Sequence, residues 1–343
     1  MDPPIEAEEN SMRTKALIGI FAGLSLLAAA CGDDDSEADP DDSGNAAAVS
    51  EPAATGPDAV ATTAGTEPSG PDTTEAPTGP VPSRIISLSP TATEMLFAIG
   101  AGDQVIAVDD FSNYPPEAAA KMTELSGFEP NVEAIAGYEP DLVATDGTNA
   151  GLLEQLDTLG IAHWEGPVAI TLDDAYAQIE QLGAMTGHVA EAAELVADMQ
   201  ADIAEVIATL PAFDAPLTYY HELDSSYFSA TSDTFIGFVY SQLGLQNIAD
   251  QVETNAGPYP QLNAEFIISA DPDLIFLACT KYCGETAETV AARDGWGAIK
   301  AVTTGGVVEM DDDIASRWGP RVVDYFRQAG EALTRVVAGQ PAG

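Results

Sequence analysis

The chain has 343 residues and is 45% hydrophobic, so it can bury a large core, and a prior of ~100–200 residues per domain makes two folded units the expectation. It carries 11 Lys and Arg against 56 Asp and Glu, a formal charge of -45. So acidic a surface repels phosphate backbones and excludes nucleic acid as a partner; with no Lys or Arg between Lys121 and Lys281, an anionic ligand would depend mainly on Arg84, Arg317 and Arg321.

In chain order, Met12-Arg13-Thr14-Lys15 leads into Ala16 to Ala30, an uncharged and mostly apolar run of fifteen residues. Crossing a bilayer takes ~20 apolar residues, so this run reads as the core of a signal peptide. Its end, Leu27-Ala28-Ala29-Ala30-Cys31, resembles a bacterial lipobox with Ala28 where a branched residue is usual. Residues 1–31 are therefore expected to be a signal peptide ending at a lipidated Cys31. The acidic stretch Met1 to Asn10 is unlike the start of a signal peptide and points to Met12 as the start of translation. From Gly32 to Pro80 there is no Lys, Arg or aromatic residue. Such a segment cannot bury enough apolar surface to offset its ordering entropy, so residues 32–80 are expected to be a disordered acidic tether.

The folded part opens with a short apolar strand, Arg84 to Leu88, then Ser89-Pro90-Thr91 as a helix start and Gly100 as its close. A second strand is expected over Val105 to Val108, then a loop to Pro116, a strand at Leu142 to Thr145, a helix near Ala150 to Leu159, a strand around Ile161 to Trp164 and a helix over Leu172 to Thr186. Strands alternating with helices imply parallel sheets covered by helices, an α/β fold. Residues 81–187 form the expected N-terminal lobe. Residues 188–210 read as one long helix without Gly or Pro, with Leu195, Met199, Ile203, Val206 and Leu210 recurring at spacings of three and four until Pro211. It is the natural connector to a C-terminal lobe, residues 211–340. There, strands are expected at Leu217 to Glu222, Leu274 to Ala278 and Val307 to Met310, and helices at Thr234 to Leu243, from Asn263, and from Pro320 to Val337.

Each lobe carries one copy of a repeat. Asn131-Val132-Glu133 with Pro140-Asp141-Leu142 returns 132 residues later as Asn263-Ala264-Glu265 with Pro272-Asp273-Leu274. Asn suits a helix N-cap and Glu its first turn, where the dipole favours an anion. Each Glu either just helps a helix start or is held outward toward a shared partner.

Catalytic signatures are lacking: neither G-x-S-x-G nor a P-loop occurs, and no catalytic residue is assigned. His163, His188 and His221 lack helical metal-site spacing; a site built from the three and Asp313 is the metal alternative. Cys279 and Cys283 form a lone C-x3-C, better read in an exported protein as a local disulfide than as a zinc half-site. Aromatic residues in loops are more informative. Phe111, Tyr114, Phe128, Tyr227, Phe228, Tyr259 and Trp318 fall where open α/β sheets bind ligands, and aromatic walls suit a bulky organic molecule. Asp313 and Arg317, four apart, either share that cleft or pair on the surface.

Arg84-Ile-Ile-Ser-Leu-Ser-Pro-Thr-Ala-Thr-Glu94, Ser112-Asn-Tyr-Pro-Pro-Glu117, the Asn-x-Glu repeats and Asp313-Ile-Ala-Ser-Arg-Trp-Gly-Pro-Arg321 together resemble the substrate-binding components of ABC importers for iron-siderophores and vitamin B12, the class III periplasmic binding proteins. That resemblance, running from Arg84 to the last helix, implies two α/β lobes joined by one long helix, a ligand held between them, no resident cofactor, and a monomer lipid-anchored to the outer face of the bacterial cytoplasmic membrane. It implies that Glu133 and Glu265 dock onto an ABC permease dimer. The Tyr-Pro-Pro loop and the Asp-to-Arg segment are most similar to cobalamin-binding members, which implies a corrinoid site of Tyr114, Phe128, Tyr227, Tyr259, Asp313 and Arg317. Phe128 and Tyr259 stand where those members have Trp. Few cations disfavour a tris-catecholate, and to a lesser degree haem, relative to a corrinoid or a near-neutral hydroxamate siderophore. A zinc or manganese receptor and a haem receptor on the same fold, or a surface-anchored hydrolase, are the alternatives.

Overall fold

The computed structural model of the protein describes residues 80–213, 215–252 and 257–339. Cys31, the signal segment and the tether up to residue 79 lie outside them. The first lobe runs β1 (Ile85–Ser87), α1 (Pro90–Ala98), β2 (Val105–Val108), α2 (Pro116–Ala119), α3 (Val132–Gly137), β3 (Leu142–Thr145), α4 (Ala150–Leu159), β4 (His163–Glu165) and α5 (Leu172–Thr186). Then come α6 (Val189–Thr209) and the second lobe: β5 (Thr218–Glu222), α7 (Phe235–Gln242), β6 (Gln246–Asn247), α8 (Ala264–Ala270), β7 (Leu274–Leu277), α9 (Ala287–Ala291), α10 (Lys300–Thr304), β8 (Val307–Glu309), α11 (Asp312–Ala315) and α12 (Val322–Val337). The expected strands and longer helices are present, with ends shifted by one or two residues. The unanticipated pieces, β6, α2 and α9 to α11, are five residues or fewer, too short for hydrophobic periodicity to reveal.

Both sheets are parallel and share one topology, β2-β1-β3-β4 in the first lobe and β6-β5-β7-β8 in the second. Successive side chains leave a strand on opposite faces, and here both faces are covered. Ile85, Tyr219 and Phe276 enter one apolar cluster, while their neighbours Ile86, Tyr220 and Ile275 enter separate clusters behind each sheet. That explains why β2, β3 and β7 read as near-continuous apolar runs.

The first of these clusters spans both lobes, and Met199 and Ile203 of α6 belong to it. A Cβ on Gly183 of α5 would lie 2.4 Å from Ala192 Cβ, so only glycine permits α5 and α6 to approach so closely. At the other end Gly330 of α12 opens space for Val206 and Leu210. The buried stripe of α6 therefore centres on Ala192, Val196, Met199 and Ile203, and Leu195 and Val206 are only half-buried. The predicted stripe misses this rotation because α6 serves two neighbours, each covering its own side. Leu210, preceding Pro211, is extended at φ -63° and ψ 141° and ends the helix. Among the described residues no helix is long and apolar enough to cross a membrane.

Candidate functional site

The two repeat copies build equivalent helix starts. Asn131 Oδ1 accepts from the Glu133 and Ala134 amides, both at 3.1 Å, and Asn263 Oδ1 accepts from the Phe266 amide at 2.9 Å. Glu133 and Glu265 are exposed in the first turns of α3 and α8, and neither enters an ion pair among the described residues. The repeat's Asp does more than break a helix. Asp141 accepts from the Ser83 and Arg84 amides (2.9 Å each) and Asp273 from the Thr218 amide (2.9 Å), so each carboxylate pins the start of the central strand beside its own. Burial acts to raise the Asp141 pKa, but the amide hydrogen bonds outweigh it and hold that carboxyl below its ordinary value. Arg84, expected as an available cation, donates instead to the Tyr138 and Glu139 carbonyls.

At the carboxyl edge of the first sheet, three aromatic rings lie open. Phe111 and Phe128 meet edge-to-face at 5.7 Å, with Phe128 70% exposed, and Tyr114 is 43% exposed with the Arg321 guanidinium 4.3 Å from its ring centre. Gly127 lets the Phe128 loop lie against β1, since a Cβ there would be 2.3 Å from the Leu88 carbonyl oxygen. Beneath, Asp109 is buried, and burial, opposed by its hydrogen bonds from Ser112, pushes its carboxyl up to about 6.

In the second lobe Tyr227 and Tyr259 are brought onto neighbouring segments. The Leu262 amide donates to the Tyr227 carbonyl (3.0 Å) and the Ser229 amide to the Pro260 carbonyl (2.9 Å). Tyr227 has φ +67°, which strains a non-glycine residue. Its ring stacks on Trp296 at 5.6 Å with the Arg293 guanidinium 5.4 Å away, and Arg293 is held by both oxygens of buried Glu222 at 2.6 Å and by Glu285 at 2.8 Å. Tyr259 is half-buried, and burial raises its hydroxyl pKa. Cys279 and Cys283 are joined in a disulfide.

Asp313 and Arg317 are buried in a clasp that bolts the lobes together. Arg317 Nη1 donates to Glu94 (2.8 Å) and Asn113 (3.1 Å) of the first lobe, and Nη2 to the Phe111 carbonyl (3.1 Å) and to Asp313 (2.8 Å). Asn113 and Lys281 donate to Asp313 Oδ2 at 2.9 and 2.7 Å, and Arg321 donates to both Glu94 oxygens. Burial acts to raise the Asp313 pKa, but the Lys281 hydrogen bond and Arg317 charge prevail and lower it. Trp318 is also committed, donating to Gln178 of α5 at 2.9 Å. The Asp313–Arg317 pair is thus neither an open-cleft pair nor a surface one. Glu94 and Asn113 were not singled out from the sequence. Glu94 carried a signal, being the lone charge in α1 among apolar and hydroxyl neighbours.

The histidines do not converge. His163 lies near Asp157 and Glu165, His188 near Glu191, and His221 is buried with Nδ1 3.0 Å from the Tyr240 hydroxyl. Among the described residues no group of three or more metal donors occurs, so the site proposed from the three histidines and Asp313 is not formed. A groove of about 440 Å³ lies beside the clasp, lined by α1, α6 and α12, and includes Tyr114 but not Phe111, Phe128 or Tyr227.

Comparisons with known proteins agree on the family. Residues 85–314 match the family described as Periplasmic binding protein. A cobalamin-binding protein of Halobacterium salinarum is 31% identical over 260 residues, 74% of this chain and 69% of the relative. A vitamin B12-binding protein of Pectobacterium carotovorum is 30% identical over 268 residues, 76% of this chain and 91% of the relative. The crystal structure of the periplasmic vitamin B12 binding protein of Vibrio cholerae superposes with a TM-score of 0.60 at 26% identity, covering 75% of this chain and 98% of that one.

Proposed function

The chain belongs to the periplasmic binding protein family and is a solute-binding protein of an ABC-type importer, and from that premise we propose that its solute is a corrinoid of the cobalamin type. The observation that carries this reading is the set of exposed aromatic rings Phe111, Tyr114 and Phe128 on loops at the carboxyl edge of a parallel sheet, a surface on which the faces of a bulky organic ligand can pack. The names of relatives at least 30% identical point the same way. Ligand contact is assigned to Tyr114, Phe128, Tyr227 and Tyr259. Asp313 and Arg317, already committed to each other and to the first lobe, would serve mainly to hold the lobes in register around the ligand.

The reading includes delivery. Glu133 and Glu265, exposed in the first turns of capped helices and without ion pairs among the described residues, are proposed to dock on arginines of a permease dimer, and Cys31 to carry the lipid that anchors the chain on the outer face of the cytoplasmic membrane.

The ligand assignment is tested by titrating the purified protein with cyanocobalamin, ferric desferrioxamine B and haemin, following Trp fluorescence. Cyanocobalamin is expected to bind with a Kd of about 1 μM or tighter, roughly -8 kcal/mol, and more tightly than the other two. Preference for either iron compound would move the assignment to that class, and no response to cyanocobalamin would overturn it.

A further inference from the structure

The loop between β7 and α9 is held more firmly than a connection needs. Cys279 and Cys283, with Cα atoms 5.1 Å apart, close it covalently. From below, buried Asp312 accepts from three successive amides, those of Thr280 (2.7 Å), Lys281 (3.1 Å) and Tyr282 (3.0 Å), and from the Thr280 hydroxyl (2.9 Å). Successive amides converging on one carboxylate fix the loop's backbone. Yet the two side chains it displays are open, Lys281 at 47% and Tyr282 at 49% exposure.

Their polar ends locate them at the seam between the lobes. Lys281 Nζ donates to Asp313 Oδ2 at 2.7 Å and the Tyr282 hydroxyl to Asp313 Oδ1 at 3.2 Å, and Asp313 also accepts from Asn113 of the first lobe. Asn113 lies between Phe111 and Tyr114 in the chain, so the loop meets the open aromatic surface through one shared carboxylate. Pre-ordering a segment lowers the entropy lost when it grips a ligand. A rigid loop with an open ring and an accessible ammonium has the properties of a binding wall.

We propose that Tyr282 and Lys281 are ligand-contacting residues: the Tyr282 ring packs on the flat organic body of the ligand, and Lys281 turns from Asp313 to an acidic group it carries. Asp313 retains Arg317 and Asn113 when Lys281 leaves, so no buried charge is stranded. The inference rests on the corrinoid reading, in which the acidic group is the phosphodiester of cobalamin.

The test compares cyanocobalamin with dicyanocobinamide, which lacks that phosphodiester, on the parent protein and on Tyr282→Ala, Tyr282→Phe and Lys281→Ala, with thermal unfolding checking that each variant is folded. Tyr282→Ala is expected to weaken both corrinoids by about tenfold and Tyr282→Phe by less than about threefold. Lys281→Ala should weaken cyanocobalamin by about tenfold and leave dicyanocobinamide within about twofold. Tyr282→Ala binding both ligands as the parent does overturns the wall, and equal losses on both ligands in Lys281→Ala overturn the acidic-group contact. A parent protein that takes up neither corrinoid overturns the corrinoid reading itself, and this wall with it.

Discussion

His221 shows how burial alone sets a residue's chemistry. Its ring has no exposure, and burial pushes its pKa down to about 3. In the unfolded chain the imidazole takes up a proton near pH 6.5. Between that pH and about 3 the unfolded state holds more protons, so acidification through this window removes stability, by up to about 1.4 kcal/mol per pH unit, and above it the residue has no effect. Asp109 works in the opposite sense: with its carboxyl near 6, the folded state holds the extra proton between about pH 4 and 6, and acidification there favours the fold. A His221→Phe variant should therefore lose less stability than the parent on going from pH 6.5 to 4.5. Urea unfolding at both values checks this, and parallel pH profiles would show that His221 does not titrate as its burial dictates. The loop aromatics were legible in the sequence because large rings between strands are conspicuous. The clasp around Arg317 was not, since its partners Glu94 and Asn113 are 223 and 204 residues away.

Among the elements, the duplicated Asn-x-Glu and Pro-Asp-Leu unit does one job twice. Its Asn starts a helix and its Asp ties the following strand to the start of the neighbouring one, which pairs it in the same register in both lobes, Ile85 with Leu142 and Tyr219 with Leu274. The two ties differ in environment. Asp273 is buried and Asp141 exposed, so water can replace the hydrogen bonds of one and not of the other. Asp273→Ala is expected to cost about 1–3 kcal/mol, the penalty for removing a buried carboxylate from the half-buried Thr218 amide and from its ion pair with Lys300, and Asp141→Ala under about 1 kcal/mol. Chemical denaturation of the two variants decides it, and equal costs would mean that burial does not govern the tie. From spacing alone the Asn caps and the helix–strand order could be read. The strand tie could not, because it depends on which strand lies alongside.

At the scale of the whole molecule, one apolar cluster runs through both lobes and α6, and the Glu94–Arg317–Asp313 clasp crosses the seam. Opening wide would expose that cluster and strand buried charges, so ligand uptake should proceed by small lobe movements. Glu133 and Glu265, the two carboxylates proposed to dock, would then present a nearly constant spacing to a permease. A Glu133→Ala/Glu265→Ala double variant should keep its ligand affinity and lose about tenfold or more of transport in cells. Unchanged transport would remove the docking role, and a fall in affinity would move the two carboxylates to the ligand site.

Whatever depends on near neighbours in the chain was determined by the sequence itself: alternating strands and helices, the long connecting helix ended by Pro211, the paired Asn caps and the family likeness. Periodicity, capping and turn chemistry act over a few residues, so a linear reading captures them. Tertiary structure decided what depends on distant approach: the rotation of the α6 stripe between α5 and α12, the separation of the three histidines, and the commitment of Asp313 and Arg317 to a clasp between lobes. Charge pairing and close contact are properties of positions in space, and folding sets those positions by burying apolar surface from the whole chain at once.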